Sequence, residues 1–82
     1  MELTEDELKV MKMMHTELTA DEIANELNMR YHSFQAIVAR LCRFYRVRGR
    51  VGLVRMALLN KIISINDLKT TKKQSNESVL EN

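Results

Sequence analysis

The segment from Thr19 to Arg43, TADEIANELNMRYHSFQAIVARLCR, decides the fold. It opens with Thr19 three residues ahead of Glu22. A threonine hydroxyl in that place can accept from the backbone N–H of the third helical residue, and the glutamate can reach back to the threonine. Ile23, Ala24 and Leu27 then make a short inward face. The pattern predicts a two-turn helix over about 20–27. Asn28 suits the left-handed conformation that ends a helix, and Met29 follows as a buried turn residue. A longer helix is expected from Tyr31 or His32 to about 45. Phe34, Ile37, Val38 and Leu41, with Phe44 or Tyr45, give its apolar stripe at helical spacing. Its opposite face carries His32, Gln35, Ala36, Ala39, Arg40 and Arg43.

Upstream, Thr4 and Glu7 repeat the same start signal. Glu5, Asp6 and Glu7 would sit at the positive end of the helix dipole. Val10, Met11 and Met14 share one face, so a first helix is expected over about 5–15. The run Met11, Met13 and Met14 reads as core plus one edge residue. Downstream, a link of Arg46, Val47, Arg48 and Gly49 leads to a fourth helix, with Gly49 as its N-cap. There Val51, Val54, Leu58 and Ile62 form one strip, with Leu53, Met56 and Ala57 beside it. After Ile65 the composition turns polar and aperiodic. The expected division is a domain over 1–65 and a disordered tail over 66–82, which has little to bury against its ordering entropy.

Charge divides at the same joint. Residues 1–29 hold eight acidic side chains, offset only by Lys9 and Lys12. Residues 30–61 hold eight basic side chains and no acidic one: Arg30, Arg40, Arg43, Arg46, Arg48, Arg50, Arg55 and Lys61. The net charge of +2 hides this. A one-signed stretch on a folded scaffold makes a positive field suited to a polyanion. At least one of Arg46, Arg48, Arg50 and Arg55 is expected to pair with an acid of the first two helices, such as Glu7 or Glu22.

Composition bounds the rest. A chain of 82 residues buries only roughly 60–65% of its unfolded surface, enough for one core and too little for a deep catalytic cleft. With no proline and two glycines, a mostly helical chain is expected. Cys42 is the single cysteine, so neither an internal disulfide nor a cysteine-based zinc site is expected. It reads as a small core filler. His15 and His32 lie far apart in sequence, lack a nearby Asp or Cys and read as surface residues, so no metal and no cofactor are expected. No apolar run reaches membrane-spanning length, and the acidic N-terminus is unlike a secretory signal. A cytoplasmic binding protein, not an enzyme, is the expectation.

Two helices joined by about three turn residues, the second basic on its exposed side, form the general helix-turn-helix pattern. The stretch from Leu3 to Ile63 resembles, without a gap, the C-terminal DNA-binding domain of LuxR-type regulators (the LuxR/FixJ group). The resemblance rests on Leu3-Thr4 with Glu7, on Val10 and Leu18, and on Thr19 with Glu22-Ile23-Ala24 and Leu27. It continues through Ser33-Phe34, Val38, Leu41, Arg43, Val47-Arg48, Arg50 and Val54. The chain departs from the family's pattern at Glu17, where a glycine is usual, at Asp21, at Arg30 in place of a Ser or Thr cap, and at Ile37 in place of a histidine. It also lacks the family's usual lysine at His32 or Gln35.

The resemblance implies an all-α, four-helix domain acting as a stand-alone dimeric transcriptional regulator of double-stranded DNA, with no sensor domain. The recognition helix, about 31–45, would enter the major groove. His32, Gln35, Ala36 and Ala39 would face base edges, and Gln35 has the amide geometry that reads adenine. Ser33, Arg40, Arg43 and Arg50 would lie near phosphates, with Arg50 otherwise holding the link. Lys69, Lys72 and Lys73 of the tail could add nonspecific affinity. The fourth helix has more apolar surface than a small core needs, and Gly52 would admit a second helix. A homodimer through Gly52, Leu53, Met56, Leu59 and Ile63 is therefore expected. The alternative is a protein-binding module on the same fold that tunes a larger regulator through that helix.

Overall fold

Thr4 and Thr19 begin the first two helices in the same way. Each side chain accepts from the backbone N–H of the glutamate three residues on, at 3.2 Å, and that glutamate accepts from the threonine N–H at 2.8 Å and 2.9 Å respectively. These boxes open α1 (Glu5–Met13) and α2 (Ala20–Glu26) in a computed structural model that describes residues 2–69. The chain continues through α3 (Tyr31–Tyr45), α4 (Arg50–Leu59) and α5 (Ile65–Leu68), with no strand among the described residues. No helix among them is long and apolar enough to cross a membrane.

Three helices end alike. Asn28, Arg46 and Lys61 have φ of 61°, 59° and 60°. In each case the next residue's N–H returns to a carbonyl five positions back: Met29 to Ala24 at 2.8 Å, Val47 to Cys42 at 3.0 Å, Ile62 to Ala57 at 2.8 Å. This is the Schellman closure, and the residue after each left-handed turn is apolar and packs on the core. The turn at Asn28 was expected. Those at Arg46 and Lys61 were not, because arginine and lysine carry no preference for left-handed backbone.

α3 is the hub and packs against α1, α2 and α4, and α1 also packs against α4. Their meeting faces bury Val10, Met11, Met14, Ile23, Ala24, Phe34, Leu41, Leu53 and Ala57. As expected, Met11 and Met14 are core and Met13 is half-buried. Cys42 is half-buried against the cluster.

The structure differs from expectation in three places. α1 stops at Met13, and the carbonyl of that residue accepts from the Thr16 hydroxyl at 2.7 Å. α4 turns Leu53 and Ala57 fully inward, so of the expected strip Val51 is exposed while Val54, Leu58 and Ile62 are half-buried at the edge of the core. Helical structure passes residue 65: α5 is opened by Asp67, whose carboxylate accepts from the Ser64 N–H at 2.8 Å. Lys69 is exposed at its end, and the rest of the expected tail, residues 70–82, lies outside the described residues.

Candidate nucleic-acid interface

The surface of interest is the solvent side of α3. His32, Ser33, Gln35, Ala36, Ala39, Arg40 and Arg43 are all exposed there, while Phe34 and Leu41 anchor the other side in the core. The helix therefore presents every expected base-facing residue on one accessible face. Gln35 and Ala39 line a groove of about 460 Å³, walled by Tyr31, Val38 and Cys42 and bordered by Ala20 of α2 and Arg48-Gly49 of the link. The Gln35 amide donates from Nε2 to the Tyr31 hydroxyl at 3.1 Å, which leaves its Oε1 and one Nε2 proton for another partner.

The arginines divide into different roles. Arg40 donates from Nε to Glu7 Oε2 at 2.8 Å, and the side chains are 56% and 4% exposed. A tie between the basic stretch and an acid of the first helices exists at Glu7, and Arg40 makes it. Thr4 N–H lowers the Glu7 pKa below the ordinary glutamate value. Burial opposes that shift, and the hydrogen bond and charge of Arg40 add to it. Tyr45, near the same carboxylate, is pushed up by burial and by the Glu7 charge.

Arg50 is turned inward. Its Nε donates to the Met14 carbonyl at 2.8 Å and its Nη2 to the Thr16 carbonyl at 2.7 Å. It is half-buried, and desolvation lowers its pKa. These bonds tie the segment after α1 to the start of α4. Arg46, Arg48, Arg50 and Arg55 together line a basic cleft of about 460 Å³ around Gly49 and Gly52.

The expected pairing face of α4 is redistributed. Leu53 is fully buried and Ile63 nearly so, within the chain's own core. Met56 is half-buried against that core. Gly52 faces Val47, and a Cβ there would stand 2.6 Å from the Val47 Cβ. Its smallness therefore serves contact within the chain. Leu59 alone of the five is well exposed, at 69%. The surface that α4 does present is Val51, 84% exposed, with Val54, Arg55 and Leu58. These residues join Met14, His15, Arg50 and Leu68 around an apolar groove of about 480 Å³. His15, expected at the surface, is half-buried there.

Sequence reasoning missed the Arg40–Glu7 tie, the Arg50 carbonyl contacts and the role of Ser64 with Asp67. Only the last had a local signal, a serine three residues ahead of an acid. No group of three or more His, Cys, Asp or Glu residues able to hold a metal occurs among the described residues. Compared with known proteins, the chain matches no family model, no curated protein and no solved structure.

Proposed function

We propose that this chain is a sequence-reading DNA-binding protein of the LuxR type, a transcriptional regulator that acts without catalysis or a cofactor. The observation that carries the reading is the exposed face of α3. Polar, small and basic side chains stand together there on the second helix of a helix–turn–helix unit, in a stretch of 32 residues, 30–61, without an acid. In this reading α3 lies in the major groove, Gln35 pairs with an adenine edge, and Ala36 and Ala39 meet thymine methyl groups. Ser33, Arg40 and Arg43 engage flanking phosphates, which fix register and carry the salt dependence. Two copies pair through the exposed side of α4, and their half-sites lie about one helical turn apart.

The test is selection from a pool of random duplexes, at two salt concentrations, with wild type, Gln35→Ala and Arg43→Ala. The reading requires enrichment of a two-fold-symmetric site that Gln35→Ala loses. Arg43→Ala is expected to weaken all sequences alike and to lower the salt slope by about one unit. Absence of binding by the folded protein at low salt would sink it. A second reading is favoured by the apolar groove beside Val51, Val54 and Leu58: a module that docks a larger regulator through α4. It requires partner binding to survive Arg40→Ala and Arg43→Ala.

A further inference from the structure

We propose that Glu7, on α1, is a positioning residue that orients Arg40 for a phosphate of the DNA backbone; the inference rests on the DNA reading above. Glu7 is 3% exposed, and a buried carboxylate must have its lone pairs answered. One oxygen accepts from the Thr4 N–H at 2.8 Å and the other from Arg40 Nε at 2.8 Å. The carboxylate is itself pinned by the helix start it caps, so the direction it offers Arg40 is set by α1.

Arg40 comes from α3, and its guanidinium uses a single edge in this contact. The remaining four N–H groups lie on Nη1 and Nη2 of a side chain that is 56% exposed. A planar fork held by its Nε presents its terminal nitrogens in a fixed plane, the arrangement that suits bidentate recognition of a phosphate. Ordering a long side chain normally costs binding energy at the moment of association. Here the ordering is already made in the free protein. The arrangement also explains a buried acid under a surface built to attract a polyanion: its charge is spent on one guanidinium.

The sign of one measurement separates this from simple electrostatics. If Glu7 acted only as a negative charge near DNA, its removal would tighten binding. As a positioning residue, its removal weakens binding, and only while Arg40 is present. The experiment uses the full chain as wild type, Glu7→Gln, Arg40→Gln, the double variant and Arg40→Lys, against a duplex selected by wild type. Glutamine at position 7 keeps the capping geometry, and thermal melts verify folding. Glu7→Gln is expected to raise Kd about three- to tenfold, the scale of one side chain's ordering. Arg40→Gln should do at least as much, and the double variant no more than Arg40→Gln. Arg40→Lys, which keeps the charge but not the fork, should also weaken binding. In the free protein, the Arg40 Nε–H resonance should exchange slowly in wild type and fast in Glu7→Gln. Binding unchanged or tightened by Glu7→Gln, equal loss with Gln at position 40, or full affinity in Arg40→Lys would overturn the inference and leave the DNA reading standing. A folded wild type that binds no duplex would overturn both.

Discussion

Arg50 and Glu7 carry most of the polar work inside this small core, and both are testable alone. Arg50 gives two hydrogen bonds to the carbonyls of Met14 and Thr16, acceptors that α1 and the turn after it leave without a helical donor. Hydrogen bonds to charged groups contribute about 1.5–3 kcal/mol, so Arg50→Ala is expected to lower unfolding free energy by roughly 2 kcal/mol. Urea titration checks this, and Arg50→Lys should recover little, since one ammonium cannot span both oxygens. Glu7 sets a pH dependence. Its folded pKa lies below the ordinary value, first through the Thr4 N–H and then through Arg40. A depressed carboxyl pKa means that the unfolded chain takes up the proton first. Its contribution is present above about pH 4.3, the unfolded value, and is lost as pH falls through the lower folded value. Melting temperature against pH should fall more gently in that acid range for Glu7→Gln than for wild type. Glu7 was legible as a candidate acid for an arginine, but neither Arg40 as its partner nor the carbonyls that Arg50 binds were. Arg40 and Arg50 were both expected near phosphates, with an internal role open for Arg50 alone, because a sequence shows charge and not direction. Their partners lie 33 and 36 residues away.

At the level of elements, the starts of α1 and α2 and the stop of α2 were legible, while the stops of α3 and α4 were not. Thr4 with Glu7 and Thr19 with Glu22 act within one turn, so local sequence suffices. Asn28 marks its own turn because asparagine tolerates positive φ. Arg46 and Lys61 adopt the same φ without a preferred residue type; their turns are imposed by Val47 and Ile62 packing on the core. Such positions hold unrelieved backbone cost, so Lys61→Gly is expected to stabilise the fold by about 0.5–1 kcal/mol, glycine carrying no Cβ penalty there. A rise in urea midpoint at constant slope would show it. Gly52 is the opposite case. Alanine would gain about 1 kcal/mol of helix propensity, but its Cβ would meet the Val47 Cβ at 2.6 Å. Overpacking of this kind typically costs about 1–3 kcal/mol. Gly52→Ala should therefore destabilise on balance, and adding Val47→Ala should restore little of the loss, because the obstructing Cβ of residue 47 remains. No change in midpoint for Gly52→Ala would mean that the link yields easily.

At the level of the whole molecule, the acidic first third and the basic middle are not separate surfaces. α1 packs directly against α3 and α4, and one of the eight acids, Glu7, is spent inside that contact. The charge division was legible as a count and the exposed face of α3 as a period, because both are properties of contiguous residues. The exposed face of α4 was not. Apolar residues of α4 exceed what one side can bury, and the sequence alone does not say which of them a helix of about 3.6 residues per turn points inward. Leu53 and Ile63 went to the core and Val51 and Leu59 to the surface. This assignment makes two substitutions on the same helix behave oppositely. Val51→Glu places a charge on a side chain 84% exposed, so the monomer's melting should hardly change, within about 0.5 kcal/mol for a surface site. If two copies pair through this face, however, the charge meets its own symmetry mate across the two-fold axis. Sedimentation should then show monomer where wild type shows dimer, and affinity for a two-half-site duplex should drop towards that for a single half-site. Leu53→Ala should do the reverse: it opens a cavity in the core at a cost of about 2–5 kcal/mol, while whatever remains folded still pairs. A Val51→Glu variant that sediments like wild type would move the pairing surface elsewhere on the molecule or leave the chain a monomer.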